Sequence, residues 1–290
     1  MTTHTAKPVP GIAGELLESP VWDERRNMLW LVDIAGRRVL GVDPERGLTR
    51  KLDMPSEPGS LALATDGALV VALRDRIARL DPDSGALVPL ARAEHDPATT
   101  RFNDGRCDRQ GRFWVGSMYE PRDKPAAKLY RLERNRLVAA VDGLTLSNGL
   151  AFAIDGRGGW HADSPARTIW RFDLDPASGA IANRRPFVTF GAEARPDGAT
   201  VDAEGGYWIA AIDAGEVRRY LPDGRLERRV AVPTPWPTMI AFAGADYRTA
   251  YVTSLRIGRP PDQLARHPLS GGLFVFRSDI AGVPEPRVDL

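Results

Sequence analysis

Apolar residues in this chain come in short runs, each introduced by an acidic residue and a turn, and the pattern repeats. Asp23 leads into Met28-Leu29-Trp30-Leu31-Val32, Asp66-Gly67 into Leu69-Val70-Val71, and Asp108 with Gly111 into Phe113-Trp114-Val115. Asp155-Gly156 leads into Trp160-His161-Ala162, Asp202 with Gly205 into Tyr207-Trp208-Ile209, and Asp246 into Tyr251-Val252-Thr253. Successive leading aspartates stand 43, 42, 47, 47 and 44 residues apart. A further run keeps the same phase, as in Arg76-Ile77-Ala78-Arg79-Leu80 or Thr168-Ile169-Trp170-Arg171-Phe172, and ends in turns such as Asp81-Pro82-Asp83-Ser84-Gly85. Asp and Pro start such a turn and Gly accepts its positive φ, which is hairpin chemistry. Adding the strand before each aspartate (Gly149-Leu150-Ala151-Phe152-Ala153) and an outer one (Arg185 to Phe190) gives four strands per unit. No stretch shows apolar residues at i, i+3, i+4 and i+7. Six four-stranded units at this period predict an all-β fold, a six-bladed β-propeller with antiparallel blades. We expect one domain over residues 1–290, with segment 1–14 adding the strand that closes the last blade and shelters its edge.

Composition narrows the partners. The 290 residues carry 39 basic and 38 acidic side chains, a net charge of +1. That balance offers no broad basic field for nucleic acid or an anionic membrane surface. Cys107 is the only cysteine, so neither an intramolecular disulfide nor a Cys-rich zinc site is available; it reads as an inert strand-start residue. Segment Met1 to Gly14 lacks the apolar core of a signal peptide. The longest apolar run, Ala68 to Leu73, falls far short of the ~20 residues of a membrane helix. We therefore expect a soluble, cytoplasmic protein; nothing in the chain addresses its oligomeric state.

The candidate chemistry lies at one phase of the repeat. In a propeller the first strand of each blade lines the central channel, so residues that start it converge on one face. Counting back from the leading aspartates gives Glu18, Asn103, Asn148 and Asp197, with Pro58-Gly59-Ser60 and Pro237-Thr238-Met239 in the second and sixth units. The ends of the second strands bring Asp33, Glu120, Asp163-Ser164, Asp213 and Thr253-Ser254 to the same face. Any one such residue taken alone is more often a structural turn residue than a functional one. Crowding carboxylates at a channel mouth, however, is costly unless a cation or hydrogen bonds compensate them. Two carboxylates with a carboxamide oxygen form an all-oxygen set suited to Ca²⁺, Mg²⁺ or Mn²⁺, with Fe²⁺ and Zn²⁺ admitted. No serine lies in a G-x-S-x-G elbow. The four histidines show no metal-site spacing, and His161 reads as a packed strand residue.

Several ordered motifs resemble the SMP-30/gluconolactonase/regucalcin family. They are Glu18-Ser19-Pro20-Val21-Trp22, Arg101-Phe102-Asn103-Asp104-Gly105, Gly111 to Met118, Ser147-Asn148-Gly149-Leu150-Ala151-Phe152, Ala162-Asp163-Ser164, Pro196-Asp197-Gly198 and Gly271-Gly272-Leu273-Phe274. The resemblance implies a six-bladed propeller with one divalent cation held by Glu18, Asn148 and Asp197. It implies substrate contacts by Arg101, Asn103 and Glu120, and a catalytic role for Asp197 and Asn103. The implied activity is hydrolysis of a sugar lactone to its aldonic acid, with Asp197 as base and Asn103 helping at the oxyanion. Two departures stand out: Leu17-Glu18-Ser19-Pro20 where relatives carry Gly-Glu-Gly-Pro or Gly-Glu-Ser-Pro, and Trp236-Pro237-Thr238-Met239, which bears on the sugar pocket. Alternative readings are a metal-dependent arylesterase or organophosphate hydrolase, a calcium-binding regulatory protein, and an interaction propeller. Arg101-Phe102-Asn103 beside the ligands favours the sugar enzyme over the last two.

Overall fold

Each of the six leading aspartates stands at or just past the end of a strand. Its Oδ1 accepts the backbone N–H two residues on, at 2.9–3.2 Å: Asp23 from Arg25, Asp66 from Ala68, Asp108 from Gln110, Asp155 from Arg157, Asp202 from Glu204 and Asp246 from Arg248. A short carboxylate makes this Asx turn and reverses the chain, so the repeated aspartate is the hairpin between the first and second strands of every unit. In two units the same side chain also accepts an indole N–H, Trp114 to Asp108 at 2.8 Å and Trp208 to Asp202 at 2.6 Å. Those indoles are thereby buried without an orphaned donor.

The computed structural model describes residues 4–290, and its strands form six antiparallel blades arranged as a six-bladed β-propeller. The innermost strands are Leu17–Asp23, Ser60–Leu63, Thr100–Cys107, Ser147–Phe152, Arg195–Val201 and Pro237–Ala243. Each packs against the innermost strand of the next blade, and the sixth against the first. Lys7–Ala13 pairs with Gly272–Arg277 as the outer strand of the sixth blade, while His4–Thr5 lies parallel to Leu226–Ala231 on the fifth. Positions 1–3 of the N-terminal segment lie outside the described residues. Cys107 ends its strand rather than starting it, and burial pushes its thiol pKa up.

Among the described residues six apolar clusters fill the six seams between neighbouring blades. Trp30, Trp114, Tyr207 and Trp208, all on second strands, are fully buried in them. An aromatic ring removes 150–250 Å² from water, about 4–6 kcal/mol of transfer free energy each. This is why an aromatic recurs in the second strand of five of the six units; the second unit's Leu69–Leu73 is aliphatic, and its two seams take Trp30 and Phe113 from the neighbouring blades. One short helix, Pro261–Arg266, interrupts the β pattern. No helix among the described residues is long and apolar enough to cross a membrane.

Candidate active site

In four blades a polar residue near the start of the innermost strand stands beside or within a bulge. The pairing with the second strand slips between Glu18 and Val21, Phe102 and Gly105, Asn148 and Ala151, and Pro196 and Ala199. A bulge breaks the alternation of a strand and re-aims the neighbouring side chains. Here Glu18, Asn103, Asn148 and Asp197 face one cavity of about 600 Å³, which Arg101 and Glu120 also line. Two bulges use left-handed backbone one residue after the site residue, at Gly149 (φ +62°) and Ser19 (φ +49°). Gly adopts this freely, whereas Ser is strained by about 1–2 kcal/mol. The Ser19 hydroxyl holds it there, accepting from Leu61 N at 2.9 Å and donating to Leu61 O at 3.3 Å.

The far end of the channel is closed by residues 278–290, which cross it from blade to blade. Gly282 N donates to Tyr247 O, Ala203 N to Ala281 O, Val288 N to Leu63 O and Asp289 N to Gly111 O. Glu285 pairs with the buried Arg106 on the inner strand of the third blade. The site is therefore a pocket with one mouth.

Hydrogen bonds fix which end of each amide faces inward. The Ser164 hydroxyl donates to Pro196 O at 2.7 Å, so it can only accept from Asn148, whose Nδ2 lies 2.7 Å away. That turns Asn148 Oδ1 toward the axis. Asn103 Nδ2 donates to Asn148 Oδ1 (2.7 Å) and to Ser147 O (3.0 Å), and Asn103 Oδ1 accepts from Arg101 Nη1 (2.8 Å). Arg101 is further held through Phe102 O at 2.9 Å and Met118 Sδ at 3.3 Å, and its Nε lies 3.8 Å from Glu120. Glu120 is gripped by both Nη atoms of Arg74 at 3.0 Å, and Arg74 Nε donates to Glu57 at 3.0 Å.

The two site carboxylates have no such support. Among the described residues neither Glu18 nor Asp197 has an ion-pair partner within salt-bridge distance; Glu18 accepts one N–H, from Ser19 at 3.1 Å, and the Asp197 carboxylate accepts none. Burial raises the pKa of Glu18 well above the ordinary carboxylate range, and the nearby charges of Asp197 and Asp104 add to it. Burial likewise raises Asp197, reinforced by Asp104 and Asp213. Asp104, deeper in the channel, is pushed up to about 6 by burial, and its Oδ1 is buried without a partner. Uncompensated buried like charges call for a cation. Among the described residues no group of three or more His, Cys, Asp and Glu forms a metal cluster. The set that fits a cation here is two carboxylates and the oriented Asn148 oxygen, an all-oxygen donor set for a hard ion.

The other residues at this phase serve the fold. Asp33 Oδ1 accepts from the N–H groups of Glu15, Leu16 and Gly36, and Asp163 accepts from Thr145 and Leu146, so both staple the chain entering an inner strand. Asp213 pairs with Arg195 at 2.8 Å. Thr238 donates its hydroxyl hydrogen to Leu17 O at 2.6 Å, tying the sixth blade to the first, and can therefore only accept from Thr253 Oγ1, 2.8 Å away. His161 is fully buried in the fourth blade, accepts from Arg184 Nε at 2.7 Å, and is pushed down to about 3 by burial. Trp236 is buried, lies beneath the Arg259 guanidinium and meets the His267 ring edge to face. Sequence reasoning passed over Arg74, although an arginine just past the second strand of the second blade occupies the row that supplied Glu120. It also passed over the ordering role of Ser164.

The family model described as SMP-30/Gluconolactonase/LRE-like region matches residues 16–256, and the chain belongs to that family. Over 280 residues it is 39% identical to 6-deoxy-6-sulfogluconolactonase of Pseudomonas putida, covering 96% of this chain and 95% of that one. It is 35% identical over 276 residues to regucalcin of Gallus gallus, covering 92% of each. Its fold matches the crystal structure of a calcium-binding protein, regucalcin, from Agrobacterium tumefaciens, with a TM-score of 0.95 and 26% identity over 100% of both chains.

Proposed function

We propose that the protein is a divalent-cation-dependent lactonase that opens an aldonolactone to its aldonic acid. The observation that carries this reading is the pair of desolvated carboxylates, Glu18 and Asp197, without cationic partners and beside an Asn148 oxygen locked toward them. Family membership and the likeness to a sulfogluconolactonase and to a calcium-binding regucalcin point the same way. Glu18, Asn148 and Asp197 would hold the cation. When bound there, a divalent cation supplies Lewis-acid polarisation of a carbonyl and lowers the pKa of water.

The chain's own residues do the rest. Asp197, made more basic by burial, takes a proton from the water that attacks the lactone carbon and returns it to the ring oxygen as the C–O bond breaks. Arg101, with Nη1 fully engaged and one Nη2 hydrogen free of protein partners, binds a substrate oxygen. Glu120, its carboxylate oriented by Arg74, accepts from sugar hydroxyls. Both Asn103 Nδ2 hydrogens are committed, so we assign Asn103 the positioning of Asn148 and Arg101 rather than direct donation to the oxyanion.

A panel of glucono-, galactono-, xylono- and arabinonolactone with phenyl acetate, followed by acid release before and after chelation, tests the reading. Turnover of at least one lactone, weak ester cleavage, loss on chelation and recovery with added cation are expected. Equal rates on phenyl acetate, or rates indifferent to chelation, would overturn it. Ser164→Ala frees the Asn148 amide to rotate, and is expected to weaken cation affinity about 10- to 100-fold, as loss of a ligand-orienting group does. A calorimetric titration measures it.

A further inference from the structure

The pocket wall carries six arginines, Arg37, Arg74, Arg101, Arg122, Arg195 and Arg259. Their number alone says little, since lysine occurs at only four positions in the chain and arginine is its default cation. Their partners say more. Arg37 and Arg74 pair with Glu57, Arg74 and Arg101 face Glu120, and Arg195 pairs with Asp213. Arg122 and Arg259 have no carboxylate partner among the described residues.

These two come from opposite blades. Arg122 follows the second strand of the third blade in a left-handed turn (φ +57°), and its Nη2 lies 3.9 Å from Met118 Sδ, the atom that Arg101 Nη2 also touches. Arg259 sits on the connection between Thr249–Ser254 and Gly272–Arg277, the longest second-to-third-strand loop of the ring. That loop is tied down at both ends: Leu255 N donates to Trp236 O, Ile257 N to Glu15 O, Gly14 N to Gly271 O, and Ser270 Oγ lies 2.9 Å from Thr234 Oγ1. The Arg259 guanidinium rests 4.8 Å from the centroid of the buried Trp236 ring, and its Nε is buried with no partner. The stack fixes the cation while leaving its N–H edge unspent. Burial lowers the Arg259 pKa; the carboxylate of Asp213, already paired with Arg195, opposes this, and the like charges of Arg195 and Arg122 add to it, so the guanidiniums sense one another across the mouth.

We propose that Arg259 and Arg122 form an anion clamp at the pocket mouth, selecting lactones that carry a sulfonate, phosphate or carboxylate remote from the reacting carbonyl. The proposal rests on the lactonase reading and deepens it. A half-buried guanidinium such as Arg259, without an ion-pair partner, is satisfied by a ligand oxyanion, and charge-assisted hydrogen bonds discriminate strongly against a neutral analogue. The Trp236 segment thus acquires a role in holding Arg259.

The test compares kcat/KM for 6-phosphoglucono-, 6-deoxy-6-sulfoglucono- and glucarolactone with that for neutral gluconolactone, in wild type, Arg259→Gln, Arg122→Gln and the double variant. Wild type is expected to prefer at least one anionic lactone by about 10- to 100-fold. The double variant is expected to lower that ratio at least tenfold, Arg259→Lys to retain part of it, and added salt to compress it. The best of the three identifies the substituent. A wild-type ratio near one, or a ratio unmoved by the double variant, overturns the clamp. If no lactone turns over, the lactonase reading fails separately, and calorimetry with gluconate 6-phosphate against gluconate decides the clamp. Tighter binding of the phosphorylated acid, lost in Arg259→Gln, supports it; equal binding overturns it.

Discussion

Asp197→Asn is expected to reduce kcat on a sugar lactone by about 10²- to 10⁴-fold, the range that removal of a general base produces. The substitution keeps the shape of the side chain and one oxygen while deleting its charge and basicity. It is expected to stabilise the cation-free protein, because Asp197 is buried, accepts no hydrogen bond, and raises the pKa of Glu18 by its charge. Activity and stability therefore move in opposite directions, as they do where a site is held under electrostatic strain. Lactone turnover and urea unfolding on the same preparation measure both. A near-wild-type rate at saturating cation would remove Asp197 from the chemistry. An unchanged or lower stability would show that its charge is compensated in some other way.

Removing divalent cations is expected to make stability depend on pH in a direction opposite to ordinary acid denaturation. Glu18, Asp104 and Asp197 all have folded pKa values above the ordinary carboxylate value of about 4. Between that value and the raised ones, the folded chain binds more protons than the unfolded chain. Stability from these groups is thus greatest below about pH 4 and is lost as pH rises through the folded pKa values. Asp104 alone, pushed up to about 6, accounts for on the order of 3 kcal/mol across that window. A bound cation cancels the repulsion and competes with protons for the same oxygens. At a hundredfold excess over Kd it adds about 2.7 kcal/mol, several degrees in Tm for a chain of this size. Calcium or magnesium is expected to raise Tm clearly at pH 8 and little at pH 5. Equal shifts at both pH values, or none, would contradict a cation held by titrating carboxylates.

The ring was legible in the sequence because one local device builds every unit. The six aspartates recur since each makes the same turn with the N–H two residues on, and an aromatic recurs in five of the six second strands since the seams need filling. The convergence of the candidate residues was legible for a related reason: positions at one phase of a repeat meet, and Glu18, Asn103, Asn148 and Asp197 line one cavity. Phase alone did not separate Asp33 and Asp163, which spend their carboxylates on backbone N–H groups. That distinction depends on the path of the chain entering each blade. Nor could spacing reveal that Arg74 orients Glu120, 46 residues away, or that Glu285 pairs with Arg106, 179 residues away. The role of Ser164 depends on where its own proton goes, a matter of three atoms from three segments. The loop between Ser254 and Gly272 breaks the repeat, and the Trp236 to Met239 departure, whose Trp236 ring lies against Arg259 of that loop, marked this wall in the sequence.

The central claim is that Glu18, Asn148 and Asp197 together hold a divalent cation. Calorimetric titration of chelator-treated protein with Ca²⁺, Mg²⁺, Mn²⁺ and Zn²⁺ at pH 8 tests it most directly, with wild type beside Glu18→Gln/Asp197→Asn. The account predicts one cation per chain in wild type and no measurable binding in a double variant that remains folded. Equal stoichiometry and affinity in the two proteins would contradict it.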